Sequence, residues 1–460
     1  MVNSIEKIVS EQKNFFNTGV TKSISFRKNN LKKLRYVLKK YQDRLCAAIK
    51  KDNNKSYEEA VMTEFIPVYE EIKYMLKNID KLSKREKVKT SILNTFSKGY
   101  IYKKPYGVVL NISSWNFPIN LSLIPLVGAI ASGNCCIIKV SEYSTNVAIV
   151  LRKMLKEVFT EQYVTVLNGD RKQVEKLIDE KVDYIFFTGS NIVGKKIMER
   201  ASKNLIPVTL ELGGKSPCVV TKNADIDVAA RRIVWGKFIN AGQVCVAPDY
   251  VLVDKDIQKE FVEKCIENIT KYYIKENKVV KEYPQIVHDR STERLKNLLS
   301  GEKIIYGGKI DKEKRIIYPT ILEITNKNSN IMQEEIFGPI LPIITFNNLE
   351  EVNLEIAKHK DPLAMYIFSE DTKEQEYLID KNLAGSICVN DTIMQIVNEN
   401  LPFGGVGQSG IGRYHGKYSF ETFTHKMSVM KRIDKKDLWI KFNGAKNAKK
   451  ILKFMINKYY

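Results

Sequence analysis

The chain has 460 residues, 44% hydrophobic and 28% charged, with a formal net charge of +21. That length and balance exclude a disordered or fibrous polymer and give room for two or three domains around a substantial core. Seven cysteines, an odd number never spaced as C-x-x-C, speak against a disulfide framework or a zinc site and predict reduced thiols in a cytosolic setting. The N-terminal MVNSIEKIVSEQKN has no apolar run behind basic residues, so no secretory signal is expected. The lysines are spread along the chain without an aromatic and basic ribonucleoprotein signature, so no nucleic-acid partner is expected.

In chain order, Leu31, Leu34, Leu38 and Leu45 recur at near-helical spacing, which predicts a helical region over residues 1–86. The run YIYKKPYGVVLNIS, residues 100–113, predicts strand with a turn at Pro105 and Gly107. The longest apolar stretch, Leu121 to Val140, is broken by Pro125, Gly128, Ser132, Gly133 and Asn134, so it reads as a buried helix and then a strand rather than a membrane span. Helices 121–133, 144–159, 171–180 and 191–202 then alternate with the strands CCIIKV, YVTVLN and DYIFFTGS, the pattern of a parallel sheet with crossover helices. A second alternating region runs from Val208 to about residue 390.

In DYIFFTGSNIVGKKI, Gly189 and Gly194 fall between a buried strand and a helix beginning near Asn191. Free amides at such a start hold phosphate and glycine lets it come close, although a tight strand-to-helix turn needs the same residues. Cys245 sits among small, turn-prone residues in FINAGQVCVAPDY rather than in an apolar strand, which predicts a flexible loop with an accessible sulfur. PFGGVGQSGIG carries five glycines in eleven residues and suits a loop lining a cleft.

Six strings in order, SSWNFP, KVSE, VTLELGGKSP, GQVCVAP, EEIFGP and PFGGVGQSG, closely resemble the NAD(P)-dependent aldehyde dehydrogenase superfamily from about residue 90 to residue 430. Chain length, GQVCVAPDY and IGRYHGKYSFETFTHK are most similar to its class 3 branch of fatty and aromatic aldehyde dehydrogenases. The resemblance implies an α/β fold: a doubly wound parallel-sheet cofactor domain (1–86 and 111–207), a second α/β catalytic domain (208–395), and a small β oligomerisation arm with the glycine-rich cleft loop (87–110 and 396–437). It also implies a homodimer.

The same resemblance implies that Cys245 attacks an aldehyde carbon, that the Asn116 side-chain amide and the Cys245 backbone N–H stabilise the resulting oxyanion, and that Glu211 activates the water that releases a carboxylic acid. Lys139 and Glu142 then hold the adenosine ribose, Thr188, Gly189 and Ser190 with Gly194 lie on the pyrophosphate side, and Glu335 and Phe337 hold the nicotinamide half. NAD is the first expectation, with NADP open. Val140 replaces a proline common in the family, which leaves the pose of Glu142 undecided. Tyr106, Trp115, Phe117 and Ile393 are candidates for the substrate passage by proximity to these strings, and Gln395 stands where class 3 relatives often carry histidine. His415 and His425 read as structural.

The last segment, residues 438–460, is basic and amphipathic: Ile451, Leu452, Met455, Ile456 and Tyr459 share one side of a helix, with Lys449, Lys450, Lys453 and Asn457 on the other. It suits peripheral contact with an anionic membrane, closure over the substrate entrance, or ordinary packing. Two other readings are a CoA-acylating or semialdehyde-specific dehydrogenase, and a catalytically silent basic protein on the same scaffold that binds membrane or nucleic acid. The intact set of Asn116, Glu211 and Cys245 argues against silence.

Overall fold

The computed structural model describes residues 4–457 apart from 92, 93, 95, 434–441, 443 and 445. Three strands introduce the architecture: β1 (Glu86–Val88), β2 (Ser97–Pro105) and β3 (Val108–Ile112). Then β4 (Cys135–Val140), β5 (Val164–Asn168), β6 (Tyr184–Thr188) and β7 (Val208–Glu211) alternate with helices. The first sheet has the order β7-β6-β3-β4-β5, all parallel, with Gly410–Ile411 added antiparallel outside β7. The second is built on β8 (Pro217–Val220) and β9 (Tyr250–Asp254), flanked by parallel strands 320–323, 340–346, 364–368 and 386–389 and an antiparallel strand 303–306.

Both sheets are covered on both faces, which is why their strands read as unbroken apolar runs rather than alternating ones. In the second sheet Cys218, Val220, Val251 and Val253 join the core shared with the first sheet, while Val219, Leu252, Met365 and Ile367 pack on the opposite side. The period-two division places a helical layer against each face.

The predicted N-terminal helix is present as Ile24–Asn53, with Leu31, Leu34, Leu38 and Leu45 all buried and Ser23 capping its start. The apolar stretch is a helix, Asn120–Ser132, followed by β4, as its breakers imply. Pro125 inside that helix cannot donate to the Leu121 carbonyl. The Asn111 amide donates to it instead, at 3.2 Å, and to Ser122 O at 3.0 Å.

Sheet membership departs from the predicted segment boundaries in three places. β3 starts at Val108 and belongs to the first sheet, although residues 87–110 were expected in the arm. β7, expected with the segment from 208 onward, is hydrogen-bonded to β6. Gly410–Ile411, expected in a cleft loop, completes the first sheet's edge. The separate three-stranded arm consists of β1, β2 and Thr424–Arg432. The C-terminal helix Ala448–Asn457 buries none of its side chains, and Tyr459 lies outside the described residues.

Candidate active site

Two adjoining cavities of about 600 and 640 Å³ open at the carboxyl ends of the first sheet's strands and share Ser114, Trp115, Thr188, Gly189 and Ser190. This is where an open α/β sheet leaves room for a ligand. Asn116, Glu211, Cys245, Glu335 and Phe337 line the first cavity; Lys139 and Glu142 line the second. The structure thus brings all the predicted site residues but one to a single cleft. The exception is Gly194, which lines neither cavity; it faces the Leu212 side chain, whose Cδ2 would lie 2.6 Å from a Cβ at that position.

The Cys245 loop is held more firmly than a run of small residues suggests. Helix Ile226–Phe238 ends in a turn where Asn240 and Ala241 both adopt φ of 51° and Gly242 a φ of 73°. A Cβ on Gly242 would meet Gly338 O at 2.2 Å, so the backbone approaches too closely for any other residue. Asn240 N donates to Glu59 Oε1 at 2.9 Å, and the Gln243 side chain bridges to Asn240 O, Gln285 O and Val287 N. Cys245 emerges from this tied loop half-buried at the cavity wall rather than from a flexible one.

Asn116 is anchored from behind. Lys55 Nζ donates to Glu64 Oε1 at 3.0 Å and to Asn116 O at 3.1 Å, and Glu64 Oε2 accepts from Ile119 N and Asn120 N at 2.9 and 3.1 Å. A buried ion pair is stable when its spare lone pairs and protons find partners. These do, and they fix SSWNFP against the helix that follows. Asn116 Nδ2 donates to Gln243 O at 3.1 Å, which joins the Asn116 and Cys245 loops directly.

The loop carrying Glu335 and Phe337 is clamped by residues that sequence reasoning missed. Lys215 Nζ contacts Asp249 Oδ2 at 2.6 Å, Ile331 O at 2.7 Å and Glu334 O at 3.0 Å, while Asp249 Oδ1 accepts from Ile336 N at 3.0 Å. Arg294 adds bonds to Glu335 O and Ile336 O. The signal available was that Lys215 lies inside VTLELGGKSP and Asp249 directly follows GQVCVAP, two of the strings already singled out. Phe337, at a φ of 50°, meets Trp115 edge-on with ring centroids 5.6 Å apart.

Electrostatics set the reacting end apart. Burial drives Glu211 well above the usual carboxylate range, and neither of its oxygens has a hydrogen-bond partner among the described residues. Burial, then the neighbouring Glu335 and Glu211, push the Cys245 thiol up to about 12. Glu335 rises to about 8, through burial first and Asp249 second. At the other end Lys139 Nζ and Glu142 Oε2 pair with each other at 2.8 Å, with the Glu142 side chain half exposed.

The sequence profile of the aldehyde dehydrogenase family matches residues 2–429. The chain belongs to that family. It is 44% identical over 431 residues to 4,4'-diaponeurosporen-aldehyde dehydrogenase of Staphylococcus aureus, covering 93% of this chain and 94% of the relative. It is 42% identical to rat aldehyde dehydrogenase family 3 member A2 (92% and 87% covered) and 41% identical to the dog dimeric NADP-preferring aldehyde dehydrogenase (94% and 95% covered). A substrate-bound Staphylococcus aureus AldH structure superposes with a TM-score of 0.95 at 42% identity, over 99% of this chain and all of the other. An NAD+ complex of a Bacillus cereus aldehyde dehydrogenase gives 0.85 at 27% identity, over 94% and 89%. The class 3 resemblance is borne out, and the chain is an oxidoreductase that oxidises aldehydes with NAD or NADP.

The cleft fits such a cofactor. Thr188 Oγ1 is buried without a hydrogen-bond partner among the described residues, beside the start of helix Asn191–Ser202, where free amides favour phosphate. A Cβ on Gly213 would come 2.0 Å from Glu335 Oε2, so bare backbone makes room for that carboxylate. Among the substrate candidates, Trp115 lines the cavity, but Tyr106 does not belong to the passage: it stacks on Tyr184 at 4.9 Å and lies near His425. Phe117 lies under Lys55 Nζ at 4.3 Å and Ile393 is buried at a φ of 66°. Gln395 donates to Tyr366 Oη at 3.4 Å, and Tyr366 in turn to the Val246 carbonyl, next to Cys245. His415 is half-buried with Nδ1 2.9 Å from Ile396 O, and His425 is part of the arm strand.

Proposed function

We propose that the enzyme oxidises medium- or long-chain aliphatic or aromatic aldehydes to carboxylic acids through covalent catalysis by Cys245. The single observation that carries this reading is the convergence of Cys245, Glu211 and Asn116 in one cavity, with the loops of Cys245 and Asn116 hydrogen-bonded together. The Trp115 ring in the cavity wall, and the likeness to a 4,4'-diaponeurosporen-aldehyde dehydrogenase, support an apolar substrate.

Cys245 Sγ loses its proton to solvent and bonds to the aldehyde carbon as the carbonyl π bond breaks, its electron pair passing to the oxygen of a thiohemiacetal anion. The Asn116 amide and the Cys245 backbone N–H hold its oxygen, charges aimed before the charge develops. NAD or NADP, when bound, would supply the hydride acceptor that conversion of this adduct to a thioester on Cys245 requires. Glu211 then takes one proton from water as the hydroxide attacks the acyl carbon, and the Cys245 thiolate leaves with release of the acid. A buried carboxylate without hydrogen-bond donors is a stronger base than one in water. With such a base in place, water rather than CoA is the acyl acceptor. Lys139 and Glu142 hold the adenosine ribose, Thr188, Gly189 and Ser190 the pyrophosphate, and Glu335 and Phe337 the nicotinamide half.

The test follows reduced-cofactor absorbance with NAD or NADP and a series of aldehydes from acetaldehyde to hexadecanal, with benzaldehyde and a Cys245→Ala control. Turnover that rises with chain length and disappears in the control is expected. Turnover confined to short aldehydes would overturn the substrate reading, and activity in Cys245→Ala the mechanism.

The enzyme works as a homodimer in this reading, because Thr424–Arg432 and 386–389 are edge strands that pairing would cover, and a similar relative is named dimeric. Its C-terminal helix lies on anionic membrane surfaces. No helix among the described residues is long and apolar enough to cross a membrane, but Ala448–Asn457 leaves Leu452, Phe454 and Ile456 exposed beside three lysines, Lys449, Lys450 and Lys453. Equal flotation with anionic vesicles by the full chain and a chain ending at Asp437 would contradict this.

A further inference from the structure

Lys55 has no exposed surface and lines neither cavity, yet it sits directly behind Asn116. Its ammonium donates to Glu64 Oε1 at 3.0 Å and to Asn116 O at 3.1 Å, and lies 4.3 Å from the centre of the Phe117 ring. Stability alone does not account for a buried ion pair, because well-packed apolar side chains in its place are often neutral or stabilising. Such a pair instead suits the fixing of one arrangement of the groups that it bonds.

Those groups point to a use. The Asn116 carbonyl oxygen has two lone pairs, and a second donor takes the other: Asn240 Nδ2, at 3.2 Å. The bond from Lys55 is charge-assisted and so roughly twice as strong as a neutral one. Between them the two donors hold the Asn116 peptide, and with it the direction in which the Asn116 side chain leaves the backbone. One proton of the side-chain amide goes to Gln243 O at 3.1 Å, leaving the second for an oxygen bound in the cavity that Asn116 and Cys245 line. The same N-terminal segment also reaches the Cys245 loop. Asn53 Nδ2 donates to Asn240 Oδ1 at 3.4 Å, Asn53 Oδ1 accepts from Lys55 N at 3.1 Å, and Glu59 Oε1 accepts from Asn240 N at 2.9 Å. Residues 53–64 are therefore bonded to both halves of the proposed oxyanion site, the Asn116 amide and the loop that carries the Cys245 N–H.

We propose that Lys55 is a positioning residue for the aldehyde oxidation: through the Asn116 carbonyl it fixes the side-chain amide where negative charge develops on the thiohemiacetal oxygen. The proposal rests on the reading of Asn116 given above. Lys55 touches neither substrate nor cofactor. It acts by placement, since a donor shifted away from the developing charge stabilises the transition state less while the substrate binds as before.

The test is single-turnover formation of reduced cofactor from NAD and the aldehyde turned over fastest in the series above. Lys55→Met alone leaves Glu64 an unpaired buried charge, so it is combined with Glu64→Gln, which keeps an acceptor for Ile119 N and Asn120 N. The double variant should slow turnover about 30- to 100-fold, with the half-saturating aldehyde concentration changed less than about threefold. Alkylation of Cys245 by iodoacetamide passes through no oxyanion, so its rate should stay within about threefold of the wild type. In an Asn116→Ala background the two substitutions should slow turnover less than about threefold further. Asn240→Ala, which removes the other donor to the same carbonyl, should show the same pattern with a loss of about three- to tenfold, and it carries the test if the double variant does not fold. Wild-type turnover in the folded variant, a loss that adds in full to that of Asn116→Ala, or alkylation slowed as much as turnover overturns the role of Lys55. Wild-type turnover in Asn116→Ala overturns the reading of Asn116 instead.

Discussion

The two ends of the cleft are built on different principles. At the reacting end the charged groups are buried and bonded to backbone: Lys55 to Glu64 and Asn116 O, Lys215 to Asp249, Ile331 O and Glu334 O. At the other end Lys139 and Glu142 are bonded chiefly to one another, and Glu142 is half exposed. The carboxylates follow suit, with Glu211 and Glu335 raised by burial while Glu142, despite some burial, is held below its usual value by the Lys139 hydrogen bond. In the proposed mechanism, bond making at Cys245 needs fixed positions and a low dielectric; holding a hydroxylated, charged cofactor tail needs neither, and tolerates solvent.

The sharpest way to break this contrast is Lys215→Met. It leaves Asp249 as an unpaired buried charge and frees the Glu335 loop, so denaturant unfolding should show a loss of about 3–5 kcal/mol, with cofactor binding lost as well. A loss under about 1 kcal/mol would place Lys215 with surface ion pairs. A second measurement follows apo-protein melting temperature against pH. The folded-state value of Glu335 lies near 8, above the ordinary 4.5, so its contribution to stability is full below about pH 4.5 and is lost as pH rises through about 8. Glu335→Gln should remove that component of the slope; an unchanged slope would assign it elsewhere. The smallest effect is expected at the exposed end. Glu142→Ala releases Lys139 for a 2'-phosphate and should raise the NADP-to-NAD ratio of kcat/KM by about three- to tenfold, with stability unchanged. A fall in that ratio would contradict the pairing drawn here.

Much of this organisation was legible in the sequence, for identifiable reasons. Helix Asn191–Ser202 begins at the residue predicted, because a buried apolar strand, a Gly-Ser turn and a helical pattern meet there. Cys245, Glu211 and Asn116 stood out because each sits in a short local string. What sequence could not show is long-range pairing. Nothing local links Lys55 to Asn116 O, 61 positions away, or Lys215 to Asp249, 34 away. Gly410–Ile411 escaped because two residues carry no periodicity, so a glycine-rich loop was expected where an edge strand forms. Tyr106 was placed near the substrate by closeness in sequence, yet β2 ends in the arm and turns its ring to Tyr184. Gly194 sits in the string that suggests a phosphate glycine, yet it faces the Leu212 side chain at the exit of β7 rather than either cavity.

The central claim is that Cys245 carries the acyl group and Glu211 brings in the water that removes it. Glu211→Gln should bind cofactor and form the thioester but hydrolyse it about 10²- to 10⁴-fold more slowly. Rapid acid quench of Glu211→Gln with NAD and an aldehyde, followed by peptide mass spectrometry, should find the acyl mass on the peptide containing Cys245, at near one equivalent. Wild type under the same conditions should hold far less. No adduct in either protein, or one on a different cysteine, would contradict the account.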